Sequence, residues 1–199
     1  MQSKLNRRGV LAGFAALTVS TGFPAYALDE AGARKLVDTV VAEINKVIEA
    51  GKSESATIRD FEKIFSRYAD VPTMARYALG ADGRSASAGE LRAFTDAFQG
   101  YLARKYGKQF RDFIGGRIEF ESVREIKAGY EIRSTAFLRG QDPVSVSFLV
   151  SDRSGSDRLF NIFVEGVNLL LTERTEIGAM LDNRRGDIGQ LTKDLRSAG

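Results

Sequence analysis

The stretch RLFNIFVEGVNLLLTERTEIGAML, Arg158–Leu181, decides the fold. It opens with strand alternation: Leu159, Asn161, Phe163 and Glu165 fall on one face, Phe160, Ile162 and Val164 on the other. The alternation breaks at Gly166. Beyond it Val167, Leu170, Ile177 and Leu181 suit a helix. Apolar residues on both faces predict a strand covered from both sides. The acid at the break, Glu165, has two readings. A carboxylate at a strand end beside an apolar interior can be a base with a raised pKa. The simpler reading is a solvated or arginine-paired residue at a hinge.

Three one-sided strands precede this segment. Past Gly115-Gly116, Ile118 and Phe120 alternate with Arg117, Glu119 and Glu121. After Gly129, Tyr130, Ile132, Ser134, Ala136 and Leu138 alternate with Glu131, Arg133 and Thr135. After the turn at 140–143, Val144, Val146, Phe148 and Val150 alternate with Ser145 and Ser147. Short connections make these strands and the opening one a four-stranded antiparallel meander. The first half of the chain reads helical. Leu36, Val37, Val40, Val41, Ile44, Val47 and Ile48 mark one face from Asp29 to Ala50, and Ile58, Phe61, Ile64, Phe65 and Tyr68 mark the next. Asp70 caps a helix that Gly80 ends, ADGRSAS (81–87) is a loop, and Ser87 with Glu90 forms a capping box. That last helix carries Leu91, Phe94, Phe98, Tyr101, Leu102 and Tyr106. Asp187 with Gln190 starts a short final helix. Helices, then strands, then helices is α+β order rather than alternating βαβ units, with several helices available to cover the antiparallel sheet.

Residues 1–27 read as a signal peptide. Lys4, Arg7 and Arg8 precede an apolar run from Val10 to Val19, and Ala25-Tyr26-Ala27 fits a cleavage site. The arginine pair resembles a twin-arginine signal, with general secretion as the alternative. Residues 28–199 then form a single domain. The whole chain holds 29 Lys and Arg against 26 Asp and Glu, and residues 1–27 hold three of the bases and none of the acids. The remainder is neutral, so nothing in its charge calls for nucleic acid. There is no cysteine and no histidine. That removes disulfides, Cys/His zinc sites and histidine-assisted nucleophiles, leaving carboxylate or tyrosine chemistry.

Tyr77, Tyr101, Tyr106 and Tyr130 fall on inferred inward faces. Either they pack with the hydroxyl on a partner, or one joins a buried acid in an oxyanion-type site. Arg117, Arg124, Arg133 and Arg139 lie among Glu119, Glu121, Glu125 and Glu131, which predicts a mixed-charge solvated face. Phe94, Phe98, Tyr101, Ile118, Phe120, Ile132, Val146 and Phe148 are expected to point the same way. Such a face closes into a dry core or lines a cavity for an apolar ligand, and periodicity alone leaves both open.

Several segments together resemble the MlaC (toluene-tolerance) family of periplasmic phospholipid-binding proteins. They are YALG (77–80), SAGELRAFTDAFQGYLARKYG (87–107), YEIRSTAFLRGQDPVSVSFLV (130–150) and LFNIFVEGVNLLLTERTEIGAML (159–181), with VEGVN (164–168) the most specific. The chain lacks the tryptophan that usually follows the LG pair, and Asp157, Phe160 and Asn161 stand where the family often has a Trp-x-x-Tyr-Asp run. The resemblance implies an α+β fold in which several helices cover a curved, four-stranded antiparallel sheet and enclose an apolar pocket. It also implies a soluble periplasmic carrier without catalytic activity or cofactor, holding phospholipid as its ligand. Its partners would be an inner-membrane ABC complex with an MCE-domain subunit and an outer-membrane lipoprotein–porin complex. The expected pocket lining is Tyr77, Phe94, Phe98, Tyr101, Ile118, Phe120, Tyr130, Ile132, Ser134, Val146, Phe148, Ile162, Val164 and Val167, with no metal ligand. The alternatives are an enzyme with a nuclear-transport-factor-like pocket, using Glu165 and Tyr130, and an envelope interaction module with a closed core.

Overall fold

A computed structural model of the chain describes residues 28–109, 116–138 and 140–199. The signal-peptide reading of residues 1–27, the Gly115 switch and Arg139 lie outside them. The described residues form helices α1 (Glu30–Glu49), α2 (Glu54–Tyr68), α3 (Val71–Leu79), α4 (Asp82–Ser85) and α5 (Ala88–Gln109). Strands β1 (Arg117–Ile126), β2 (Gly129–Phe137), β3 (Val144–Ser151), β4 (Arg158–Val164) and β5 (Val167–Asn168) follow, then α6 (Leu169–Asp182) and α7 (Ile188–Leu195).

Most helices begin where a side chain can accept an otherwise unpaired N–H. Asp29 accepts from the Gly32 N–H at 2.7 Å and Asp70 from the Thr73 N–H at 3.2 Å. Ser87 and Glu90 cap each other reciprocally: the Glu90 N–H donates to Ser87 Oγ at 3.2 Å and the Ser87 N–H to the Glu90 carboxylate at 2.9 Å. Asp187 accepts from the Gln190 N–H at 2.8 Å, but the Gln190 amide turns to Asp194 at 3.0 Å, so that box is one-sided. The 81–87 segment is not all loop, since Asp82–Ser85 closes one helical turn.

The sheet is an antiparallel meander in the order β1-β2-β3-β4-β5. The expected four strands are there, and a two-residue fifth follows them. The fifth arises at Glu165-Gly166, where both residues take positive φ, 49° and 76°. These angles build a tight hairpin turn that pairs Val167 back onto Val164. Val167 therefore lies in β5 rather than in a helix, and Asn168 caps α6 by accepting from the Leu171 N–H at 2.9 Å. Asn161 secures the junction. Its Oδ1 accepts from the Leu170 N–H at 3.2 Å and its Nδ2 donates to Asn168 Oδ1 at 2.9 Å.

Two bulges correct the simple alternation. One lies between Phe120 and Ser122, so that Val123 rather than Ser122 pairs with Ile132. The other skips Phe160, placing Leu159 opposite Val150 and Asn161 opposite Leu149. Leu159 thus shares the helix-covered face with Ile162, against the assignment to opposite faces.

The apolar interior is two clusters. One joins α3, α5, α6 and α7 around Phe94, Phe98, Leu102, Ile177, Leu191 and Leu195. The other lies between the sheet and α1, α2 and the opposite side of α5, around Val37, Val40, Phe61, Ala103, Ile132, Phe148, Val150 and Leu159. Gly129 makes the β1–β2 hairpin fit: a Cβ there would sit 2.1 Å from the Val150 carbonyl oxygen. Gly129→Ala is expected to cost about 3 kcal/mol or more, in the range of overpacking and backbone strain. Gly178→Ala, in the middle of α6 with open space around it, is expected to stabilise by about 0.5–1 kcal/mol. Thermal melts of the two variants read both signs.

Candidate functional site

The sheet-facing cluster is unevenly covered. Its centre is sealed: Ile132, Val146, Phe148 and Val150 are buried against α1 and α2. Its edge is not. On β1 the inward residues Ile118, Phe120 and Val123 are only half-buried, as are Leu36, Val41, Ile44 and Val47 on the facing helix α1. An apolar seam therefore runs between α1 and β1, and its walls meet water. Arg34 stands on this rim, its guanidinium 3.9 Å over the Phe120 ring and 3.7 Å from Asp38.

Of the residues expected to line a pocket, the structure brings nine to this face. The cross-strand rows are Phe120–Ser134–Val146–Val164 and Val123–Ile132–Phe148–Ile162, with Ile118 opposite Ala136 and Tyr130 opposite Val150. Ser134 is the small member of its row. Phe94, Phe98 and Tyr101 are not part of this face. They stack along the other side of α5, with centroids 5.7 and 6.2 Å apart, inside the helical cluster. Small residues decide this: α5 turns Ala103 to the sheet cluster and sets Gly107 against Phe61 and Ile58 of α2. Tyr77 and Val167 do not face inward either, being 39 % and 54 % exposed. The buried side of α3 is Val71, Ala75, Ala78 and Leu79, which leaves Tyr77 outside.

Glu165 and Tyr130 do not converge. Glu165 is exposed at the β4–β5 turn, where its carboxylate accepts from the Ser145 N–H. Tyr130 pairs with Val150, five residues beyond Ser145 along β3. The hinge reading of Glu165 is the one its contacts support. The outer sheet face is a mixed-charge surface. Arg124 grips Glu131 at 2.5 and 2.8 Å, and Arg133 lies 3.5 Å from it. Burial pulls the Glu131 pKa up, but Arg124, Ser147 and Arg133 outweigh it and hold the carboxyl below its usual range.

Acids and tyrosines do meet elsewhere, at a place the sequence reading missed. Glu173 is 2 % exposed and sits between α6 and α5. Lys105 Nζ donates to it at 2.7 Å and the Tyr106 hydroxyl at 2.5 Å. Lys105 also bonds Glu176 at 2.6 Å, which accepts from the Tyr101 hydroxyl at 2.9 Å. Burial, helped by the Glu173 charge, drives both tyrosines above the ordinary phenol range. Burial pulls Lys105 down, but its bonds to Glu173 and Glu176 more than reverse that. Together these bonds form an ionic brace between α5 and α6, with Glu173 Oε2 left buried without a hydrogen-bond partner. The signal was present: Leu170, Glu173, Ile177 and Leu181 lie on one helical stripe, with an acid in an apolar position. Among the described residues no group of three His, Cys, Asp or Glu side chains could hold a metal.

The architecture defines a class: an α+β domain in which helices cover one face of an antiparallel sheet and leave an apolar seam at its edge. The sequence model of the MlaC protein family matches residues 34–197, and the chain belongs to that family. A solved structure with this fold is the phospholipid-binding protein from Ralstonia solanacearum in complex with a phospholipid. It superposes with a TM-score of 0.71 at 19 % identity, covering 83 % of this chain and 95 % of that one. At this identity the likeness establishes the fold.

The brace yields a double-mutant prediction. Lys105→Met alone leaves Glu173 buried without its cation and is expected to cost about 3–5 kcal/mol. Lys105→Met with Glu173→Leu is expected to recover most of that loss. Urea denaturation of the single and double variants gives the coupling.

Proposed function

We propose that the chain is a phospholipid carrier that holds acyl tails between α1–α2 and the sheet, entering along the α1–β1 seam. The observation that carries this is the set of half-buried apolar residues of both elements packed against the sheet cluster, Ile118, Phe120 and Val123 on β1 and Leu36, Val41, Ile44 and Val47 on α1. Hiding tail methylenes recovers about 0.8 kcal/mol each, so roughly eight of them supply about 6 kcal/mol with no headgroup contact. Tail loading lifts α1 from β1 while the centre of the sheet stays sealed. The headgroup remains at the rim, where Arg34 can meet its phosphate. Family membership and the phospholipid held by the Ralstonia solanacearum protein support the same ligand. On this reading the carrier has no catalytic role and shuttles lipid in the periplasm between an inner-membrane ABC complex with an MCE-domain subunit and an outer-membrane lipoprotein–porin complex.

Lipid extraction and mass spectrometry of natively purified protein test the proposal, and protein free of phospholipid that also takes none from liposomes would overturn it. Phe120→Asp and Ile44→Asp, which charge the two walls of the seam, are expected to remove the lipid while the melting transition persists. Ala42→Asp, on the exposed side of α1, is expected to load normally.

Export with removal of residues 1–27 belongs to this proposal. The Leu28 side chain is buried in the sheet cluster, and its main-chain nitrogen lies 3.0 Å from Asp152 Oδ2. Burial, then the charges of Asp152 and Asp29, raises the pKa of neighbouring Asp157, so a new cation is favoured here. A chain beginning at Leu28 puts its α-ammonium at this spot. It is expected to melt on the order of 5 °C above a chain beginning at Ala27, the worth of one charge-assisted hydrogen bond. Asp152→Asn is expected to erase the difference in calorimetry.

A further inference from the structure

Away from the seam, an open cleft of about 560 Å³ lies between α3, α4 and α6. Arg76, Arg84 and Arg174 line it, with Tyr77, Thr73 and Gly80, and no carboxylate does. Among the described residues none of these three guanidiniums has an acid or carbonyl partner. Several arginines elsewhere are engaged, Arg124 with Glu131, Arg184 with Asp194, and Arg104 with the Leu195 and Ala198 carbonyls. Other unpaired ones among the described residues, such as Arg59 and Arg92, lie outside this cleft. Arg174 is nonetheless held in place. Its guanidinium lies 4.9 Å from the Tyr77 ring centroid. A Cβ at Gly80, where φ is +63°, would come within 3.2 Å of it, so the glycine keeps its seat open. A guanidinium oriented by an aromatic face, with its donors free, is suited to phosphate.

A second feature surrounds the cleft. The exposed large hydrophobics among the described residues are Tyr77, Val167 and Leu171, at 39 %, 54 % and 48 %. Tyr77 lines the cleft. Leu171 is one turn before Arg174 on α6, so the two share a face, and Val167, in β5, lies just ahead of that helix. Apolar and aromatic side chains protruding beside unpaired arginines make the pattern that sits at a membrane–water interface: cations on phosphates, Tyr and Leu below them. A free anion would use only the arginines, and an acidic peptide would leave Leu171 and Val167 uncovered.

We infer that this face docks the protein on a membrane surface, with the cleft arginines on the phosphates of anionic phospholipids and Tyr77 and Leu171 entering the interface. The surface is separate from the seam, so docking does not depend on tail binding. It gives an otherwise neutral exported chain a preferred orientation against a bilayer.

Flotation of the exported, purified protein with vesicles tests this. The protein is expected to float with phosphatidylcholine vesicles containing phosphatidylglycerol, not with phosphatidylcholine alone, and to be released at high salt as screening shortens its reach. Arg76→Gln/Arg84→Gln/Arg174→Gln is expected to weaken vesicle binding on the order of a hundredfold, at about 1 kcal/mol per arginine. Leu171→Ser is expected to weaken it less and independently of salt. The melting temperature and copurified lipid of the triple variant are expected to match the native protein, which separates this inference from the tail-binding proposal. Equal flotation of native and triple-variant protein overturns the inference. So does an absence of flotation, including the case in which the native protein instead binds inorganic phosphate or an acidic peptide through these arginines.

Discussion

Helix α5 presents two unlike surfaces to two unlike partners, and the rest of the structure follows from that division. One side is an aromatic and aliphatic stripe, Phe94, Phe98, Tyr101 and Leu102, which holds α3, α6 and α7 in one cluster. The other side carries Gly100, Ala103 and Gly107, small enough for α2 to lie close. Bulky residues on both sides would push α2 outward and open the sheet cluster entirely. Small residues on both sides would leave the helical layer without a core. Phe65 of α2 touches both clusters and joins them. The helical block is further locked by the Lys105–Glu173–Glu176 brace. Full burial is concentrated there, and half-buried side chains lie along α1 and β1.

That distribution suits the proposed binding of an apolar ligand. A ligand held by apolar area needs a surface that parts, and half-buried side chains give up little contact when they separate. A frame that does not yield must stand behind it. The polar outer face of the sheet, with Arg124 and Arg133 on Glu131, adds solubility and cross-strand pairing without entering the seam.

Much of this was legible in the sequence. The α+β order, the capping residues Asp29, Asp70, Ser87 and Asp187, and the alternation of β2 and β3 follow from local rules that act within a few residues. What was not legible is long-range. Helical period locates the buried side of α5 but not its partner, so Phe94, Phe98 and Tyr101 were grouped with the sheet. A bulge adds one residue and reverses every facing after it, which is why Leu159 was set apart from Ile162. The Glu165-Gly166 turn used a glutamate where asparagine is the usual signal, so β5 went unseen. Glu173 was passed over because an acid on an apolar stripe reads as an interruption until its lysine, 68 residues away, is known.

The division into two clusters also bears on how the chain acquires its shape. Ala33 and Leu159 share one cluster, Val71 and Leu195 the other. The first therefore runs from the start of α1 to β4, and the second from the end of α2 to α7. Strand β4 completes the first, and α7, ending four residues before the C-terminus, completes the second. Until these segments are available, neither cluster is closed. Contacts of such sequence separation make folding slow and leave apolar surface open meanwhile. A chain built this way emerges sticky and gains its solubility late, from its last helix.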